Sequence, residues 1–393
     1  MPSIESAHSL SEDQFAQLAS GFGDAETVRW LVQAQASVQR ELLAAVGRFG
    51  PHDDARFAAA WDVLVGLDTS APDAVAAVLT HPYTRVWATA LLENISRAEF
   101  VAADVYHLEA VAASAALLAG AKLRMPVPAR DGVAPLPMFG ALRASELVWI
   151  DTGHGDVVLA EPVRKLSYGD LTVTLEDTDP YRALPYLGSE IHPTGRLSDV
   201  EAERWQQAFV GALGFIEEHL PAYLPGLRAG LRTILPLRPD GPTNRSASAR
   251  LAFGAVGIAA RHLDPQALAE LLVHEFQHVK LGAMMDAFEL YDRADIEPRY
   301  HPPCFSHPRP IEGLLHSTYA HLAITDFWRV QRTVTTGAAA EAADRRFTEV
   351  RLLTAEGIAL LEAAGSLTAL GDTFVEAMRS RITAWRRVPP RES

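Results

Sequence analysis

His274-Glu275-Phe276-Gln277-His278 sets two imidazoles four residues apart, with an acid beside the first. The pentad lies in ELLVHEFQHVKLGAMMDAF, whose apolar residues recur at helical spacing, and helix positions four apart share a face. Both imidazoles can therefore grip one metal ion, with Glu275 close enough to touch a water or a reactant there. Two histidines leave a mononuclear centre short of one protein ligand, which must come from another segment. IEGLLHSTYAHLAITDFW offers Glu312, His316 and His321. Glu312 and His316 share a face and His321 is rotated by roughly 140° from His316, so spacing alone chooses none of the three. Zinc with Glu275 as general base would give peptide hydrolysis, whereas iron would use its open positions for dioxygen and a co-substrate.

The elements that must position these residues are mostly helical. Asp264 is a candidate N-cap and Pro265 a first helical residue for the HExxH helix. Before them, LAFGAVGIAA (251–260) reads as a strand, and strand, short connection and HExxH helix resemble the order found in zincin-type metalloproteins. The expected fold is α+β, predominantly helical, with a zincin-like HExxH helix and a small β section. Three regions are expected: a helical platform over 1–120, a β-containing middle over 121–197, and an HExxH metal-binding catalytic region over 198–393. Ser11 caps the first helix, His81-Pro82 marks a helix boundary, and Trp87 reads as core. In the middle region VVLAEPVRKLSY and LTVTLEDTD alternate or run β-branched around the turn Tyr168-Gly169-Asp170. His154, between glycines, reads as exposed-loop material. Ser198-x-x-Glu201 is a capping box that opens the helical return, and helices are expected near 312–332, 339–364 and 370–386.

Composition sets outer bounds. With 393 residues, 48% of them hydrophobic, the chain can bury a large core. One cysteine, Cys304, excludes an internal disulfide framework and suits a reducing compartment. The N-terminal residues lack the pattern of a signal peptide, and apolar stretches such as VAASAALLAGA read as too short or interrupted to span a bilayer. The expectation is a cytoplasmic protein without a membrane partner. A formal net charge of -14 argues against nucleic acid as a main partner, and the basic patches RVQR near 329 and RSRITAWRRVPPR at the C-terminus read as solvated surface.

LAELLVHEFQHVKLGAMMDAFELYD, followed by HPRPIEGLLHSTYAHLAITDFWR, resembles the HExxH-type peptide modification proteins of actinobacteria, which accompany radical-SAM peptide maturases that install cyclophane crosslinks. The resemblance extends from SLSEDQFAQLASGFGDAETVRWL through the C-terminal helix and is weaker at the N-terminal end. It implies an iron(II), 2-oxoglutarate-dependent β-hydroxylase acting on a ribosomally made precursor peptide, with a radical-SAM maturase as a further partner. By position, His274 and His278 match the metal pair, Glu275 the motif acid, and His321 the recurrent YAH element, hence the third ligand. With Glu312 as ligand the centre would become a two-histidine, one-carboxylate triad suited to iron. The distal carboxylate of 2-oxoglutarate would need an arginine, for which Arg309 and then Arg299 are candidates, with Arg245 and Arg250 behind them. Tyr319 is a candidate for orienting a ligand or co-substrate, and the 251–258 run for pairing with a peptide strand. The competing readings are a zinc metallopeptidase, in which Glu275 is the base, and a peptide-binding scaffold with a structural metal.

Overall fold

The computed structural model describes residues 10–385, apart from 131, 154–156, 158, 187–191, 240, 242 and 304–306. Cys304 and His154 thus lie outside the described residues. Seven helices come first: α1 (Glu12–Ala19), α2 (Ala25–Phe49), α3 (Ala55–Ser70), α4 (Pro72–Leu79), α5 (Pro82–Ser96), α6 (Ala102–Val105) and α7 (His107–Ala119). Short strands follow: β1 (Arg124–Pro128), β2 (Val133–Leu136), β3 (Gly140–Arg143), β4 (Leu147–Asp151), β5 (Glu161–Pro162), β6 (Arg164–Tyr168) and β7 (Leu171–Leu175). After α8 (Asp199–His219) and α9 (Leu224–Gly230) come β8 (Thr233–Pro236), β9 (Arg245–Ala247) and β10 (Ala255–Ala259). Four long helices complete the chain: α10 (Pro265–Ala287), α11 (Ile311–Val334), α12 (Gly337–Ala363) and α13 (Ala369–Trp385). The fold is therefore α+β and predominantly helical, with a small β section and the HExxH pentad on α10.

The chain divides into two compact units built from interleaved segments. One comprises residues 35–206 and 232–261. Its helical core gathers Phe57, Leu64, Tyr83, Trp87 and Val111, all at most 1% exposed. Pro82 opens α5 with His81 at the N-cap, as the His-Pro pair implies, and the Trp87 indole donates to the Asp104 carbonyl at 2.7 Å. Its largest sheet runs β6-β7-β8-β10-β9, with β8 parallel to both β7 and β10 and the outer pairs antiparallel. Every residue of β10 is buried, which accounts for an uninterrupted apolar run where a half-exposed strand would alternate. Because β8 and β9 occupy its two edges, β10 has none left for an incoming peptide, which corrects the expectation for 251–258. Residues 102–119 have the length and mean hydropathy (1.2) of a membrane span, but 67% of that window is buried, and α7 packs on α3, α4, β1 and β2.

This unit also holds a histidine with a testable titration. The His107 ring lies 4.6 Å from that of Tyr181 and 5.5 Å from Trp87. Burial, and then the charges of Arg130 and His81, push His107 down to about 3. The folded pKa lies below the ordinary 6.5, so unfolding takes up a proton between these values. The stabilising difference is fully present above about pH 6.5 and fades as pH falls toward 3. Replacing His107 by Phe should flatten the fall in unfolding free energy between pH 6.5 and 4 by about 1 kcal/mol per pH unit, measured by denaturant titration. Parallel curves for the two proteins would contradict this.

The other unit comprises residues 1–34, 207–231 and 262–393 and carries the HExxH helix. Asp264 caps α10 by accepting the Ala267 amide at 2.8 Å, with Pro265 in the first turn, as its sequence implies. Most of α10 from Leu268 to Met285 is buried, and it is a core helix whose half-buried face carries Glu270, His274 and His278 at i, i+4 and i+8. Its buried polar residues fasten it to the turn after α1: Gln277 donates to the Gly21 carbonyl at 3.0 Å, and Lys280 to Gly21 and Phe22 at 3.0 and 2.8 Å. Helix α11 packs on α10 and on α12. Where α12 passes closest, a Cβ on Gly357 would lie 2.5 Å from Thr318 Oγ1, so only glycine permits that approach.

Candidate metal centre

Helix α10 delivers His274 and His278 from successive turns, with ring centroids 4.9 Å apart. The ligating atoms of His274, Glu275 and His278 all lie within 4.8 Å of one another, forming a compact His-Glu-His donor group. Glu275 is 2% exposed, and its Oε1 stands 3.5 Å from His274 Nε2. Helix α11 brings two further imidazoles. The His316 Nδ1 lies 3.2 Å from His278 Nδ1, and the His321 ring centroid lies 6.1 Å from that of His274. His316 and His321 thus stand beside different α10 histidines, which is how two residues rotated apart on one helix both reach this place.

The α10 pair suits a zinc-type ion. Imidazoles bound tetrahedrally at ~2.0–2.1 Å have ring centroids about 5 Å apart, which is the separation of His274 and His278 at 4.9 Å, while the pairs reaching α11 are wider, 5.4 Å for His278–His316 and 6.1 Å for His274–His321. Burial pushes His274, His278 and His321 down to about 4. They are neutral near pH 7 and present lone pairs, the form a metal requires. For His274 and His278 the Glu275 charge acts against burial; for His321 the neighbouring His274 adds to it. The His321 Nδ1 lies 2.8 Å from the Ser317 carbonyl. A carbonyl only accepts, so Nδ1 carries the proton and Nε2 keeps the lone pair. Two facing nitrogens, as in His278 and His316, either share one proton or converge on one cation.

The imidazoles open into a cavity of about 640 Å³, walled by Pro303, Arg309, Gly313, Ser317, Arg346, Glu349 and Leu353 as well as His274, His278, His316 and His321. Arg346, Glu349 and Leu353 follow helical i, i+3, i+7 spacing on α12, a contribution sequence reading did not foresee. The same spacing occurs on any solvated helix face, so it carried no distinguishing signal. Of the two arginine candidates, Arg309 lines the cavity, whereas Arg299 is tied outside it to Asp295, Tyr300 and Ser366. Arg245 and Arg250 belong to the other unit. Tyr319 is fully buried, donates its hydroxyl to the Leu18 carbonyl at 2.5 Å and packs on Phe374. That hydrogen bond replaces the expected ligand-orienting role with an anchoring one.

Iron with 2-oxoglutarate, and the oxygenase and hydroxylase activity built on it, are corrected by this donor set. The compact group is the His-Glu-x-x-His arrangement of zinc proteases, not a two-histidine, one-carboxylate triad contributed by separate segments. Glu312, the carboxylate that could have completed such a triad, accepts from the Tyr291 hydroxyl at 2.8 Å and is not part of the cavity wall. No protein-family model matches the chain, and neither does any curated protein sequence. The class is therefore defined by fold and site: a helix-borne HExxH metal-binding motif of zincin type, consistent with a metal-dependent enzyme.

Proposed function

We propose that the protein is a zinc-dependent peptidase. The observation that carries this reading is the compact donor group in which His274 and His278 are half-buried and line a cavity sized for a small ligand, with the buried Glu275 within 4.8 Å of both. His274 and His278 would hold the ion, with His321 or His316 of α11 completing the set. Zinc, when bound, supplies Lewis-acid polarisation of the scissile carbonyl. Glu275 receives a proton at Oε1 from the attacking water and returns it to the departing amine nitrogen. The water oxygen joins the carbonyl carbon, the C–N bond breaks, and a carboxylate and an amine leave. The Ser317 carbonyl fixes the His321 tautomer and ring orientation throughout. The test is incubation of zinc-reconstituted protein with a mixed peptide library, followed by mass spectrometry. Chelator-sensitive cleavage is expected; intact peptides at full zinc occupancy would refute the reading.

A further inference from the structure

We propose that His316 is a positioning residue of the metal centre: its Nδ1 accepts the Nδ1 proton of His278 and so fixes which nitrogen of that ring is offered to the ion. His321, whose Nε2 keeps its lone pair, then supplies the α11 ligand. This role rests on the metal centre of the peptidase reading and is tested without a peptide.

The first observation is the contact itself. His278 Nδ1 and His316 Nδ1 are 3.2 Å apart, within hydrogen-bond distance. Donor atoms bound tetrahedrally at ~2.0–2.1 Å lie about 3.4 Å from one another, so by distance alone the pair could also clasp a cation. Membership of the donor group weighs against that. Among the described residues, the ligating atoms within 4.8 Å of one another are those of His274, Glu275 and His278. An ion clasped by both facing nitrogens would need His316 inside that group. His321 stands outside it as well, so the hydrogen bonds decide between the two α11 imidazoles.

The second observation is how α11 holds the rings around the cavity. His316 and Ser317 are adjacent, and each meets the Nδ1 side of an imidazole: the Ser317 carbonyl that of His321 at 2.8 Å, the His316 ring that of His278 at 3.2 Å. Metal-bound histidines are commonly tied in this way through the nitrogen that does not bind the ion. A neutral imidazole carries one proton. With the shared proton on His278, its Nε2 keeps a lone pair for the ion. With the proton on His316, Nε2 of His278 is the protonated nitrogen and cannot bind. A bound ion therefore selects the arrangement in which His316 accepts. What the position requires is an acceptor at Nδ1, which separates this role from that of a ring that only fills space.

The test measures zinc affinity of the full chain by competition with a chromophoric chelator, and imidazoles per zinc by X-ray absorption fine structure. His316→Phe keeps a ring without an acceptor, and His316→Asn sets an amide oxygen near the place of Nδ1. His316→Phe should lower the affinity by about 10- to 100-fold, as loss of an outer partner does, with the imidazole count unchanged. His316→Asn should recover most of that loss, whereas His321→Phe should remove one imidazole from the count. Nitrogen-15 spectra of the zinc-loaded chain should show His278 protonated at Nδ1. A count reduced by His316→Phe, an affinity unmoved by it, His316→Asn as weak as His316→Phe, or a bare Nδ1 on His278 would each overturn the role of His316. The expected zinc results in a chain that cleaves no peptide would remove the peptidase reading and keep that role. A chain that binds no zinc at His274 and His278 would remove both.

Discussion

Glu275→Gln is expected to abolish peptide hydrolysis while the zinc stays bound. The amide matches the carboxylate in size and fits the same buried position, 2% exposed, but it accepts no proton at pH 7. General-base contributions of this kind are worth about 10²- to 10⁴-fold in rate, so kcat should fall by that factor with zinc content near that of the parent. Stopped assays beside metal analysis of the same sample separate the two effects. Joint loss of zinc and activity would make Glu275 part of the metal-holding set instead. Retained activity would remove its role as base.

His278→Ala should act on the ion itself. Binding energies of about 10–16 kcal/mol spread over three protein ligands average roughly 4 kcal/mol each, so zinc affinity should drop on the order of 10³-fold. The substitution also removes the contact between His278 Nδ1 and His316 Nδ1 at 3.2 Å. Competition with a chromophoric chelator reads the affinity directly, and excess zinc should recover part of the activity. An unchanged affinity would place the ion elsewhere.

The sequence exposes what is encoded locally. Asp264 and Pro265 start α10 where their types predict, and Ser198 and Glu201 form the expected box, with the Glu201 carboxylate accepting the Ser198 amide at 2.7 Å. The HExxH pair is legible because an i, i+4 relation on a helix is itself a geometry. What depends on packing between distant segments is not legible. Tyr319 reads equally well as a site residue or as core until its hydroxyl is seen on Leu18. Arg309 ranks ahead of Arg299 in the sequence only by lying directly before the ligand helix, and it is packing that puts Arg309 on the cavity wall and ties Arg299 to Asp295 and Tyr300. Central and edge strands share an apolar composition, so the place of β10 between β8 and β9 emerges only from the pairing. The interleaving of the two units escapes a reading by local period, which marks contiguous stretches alone. The iron and 2-oxoglutarate expectation came from resemblance, and the donor arrangement on α10 is what corrected it.

Anomalous diffraction at the zinc absorption edge, from crystals of the zinc-loaded chain, tests the central claim most directly. One strong peak is expected within coordinating distance of His274 and His278 and of an imidazole from α11. No peak there, or a peak bound by other residues while peptide hydrolysis persists, would contradict the assignment.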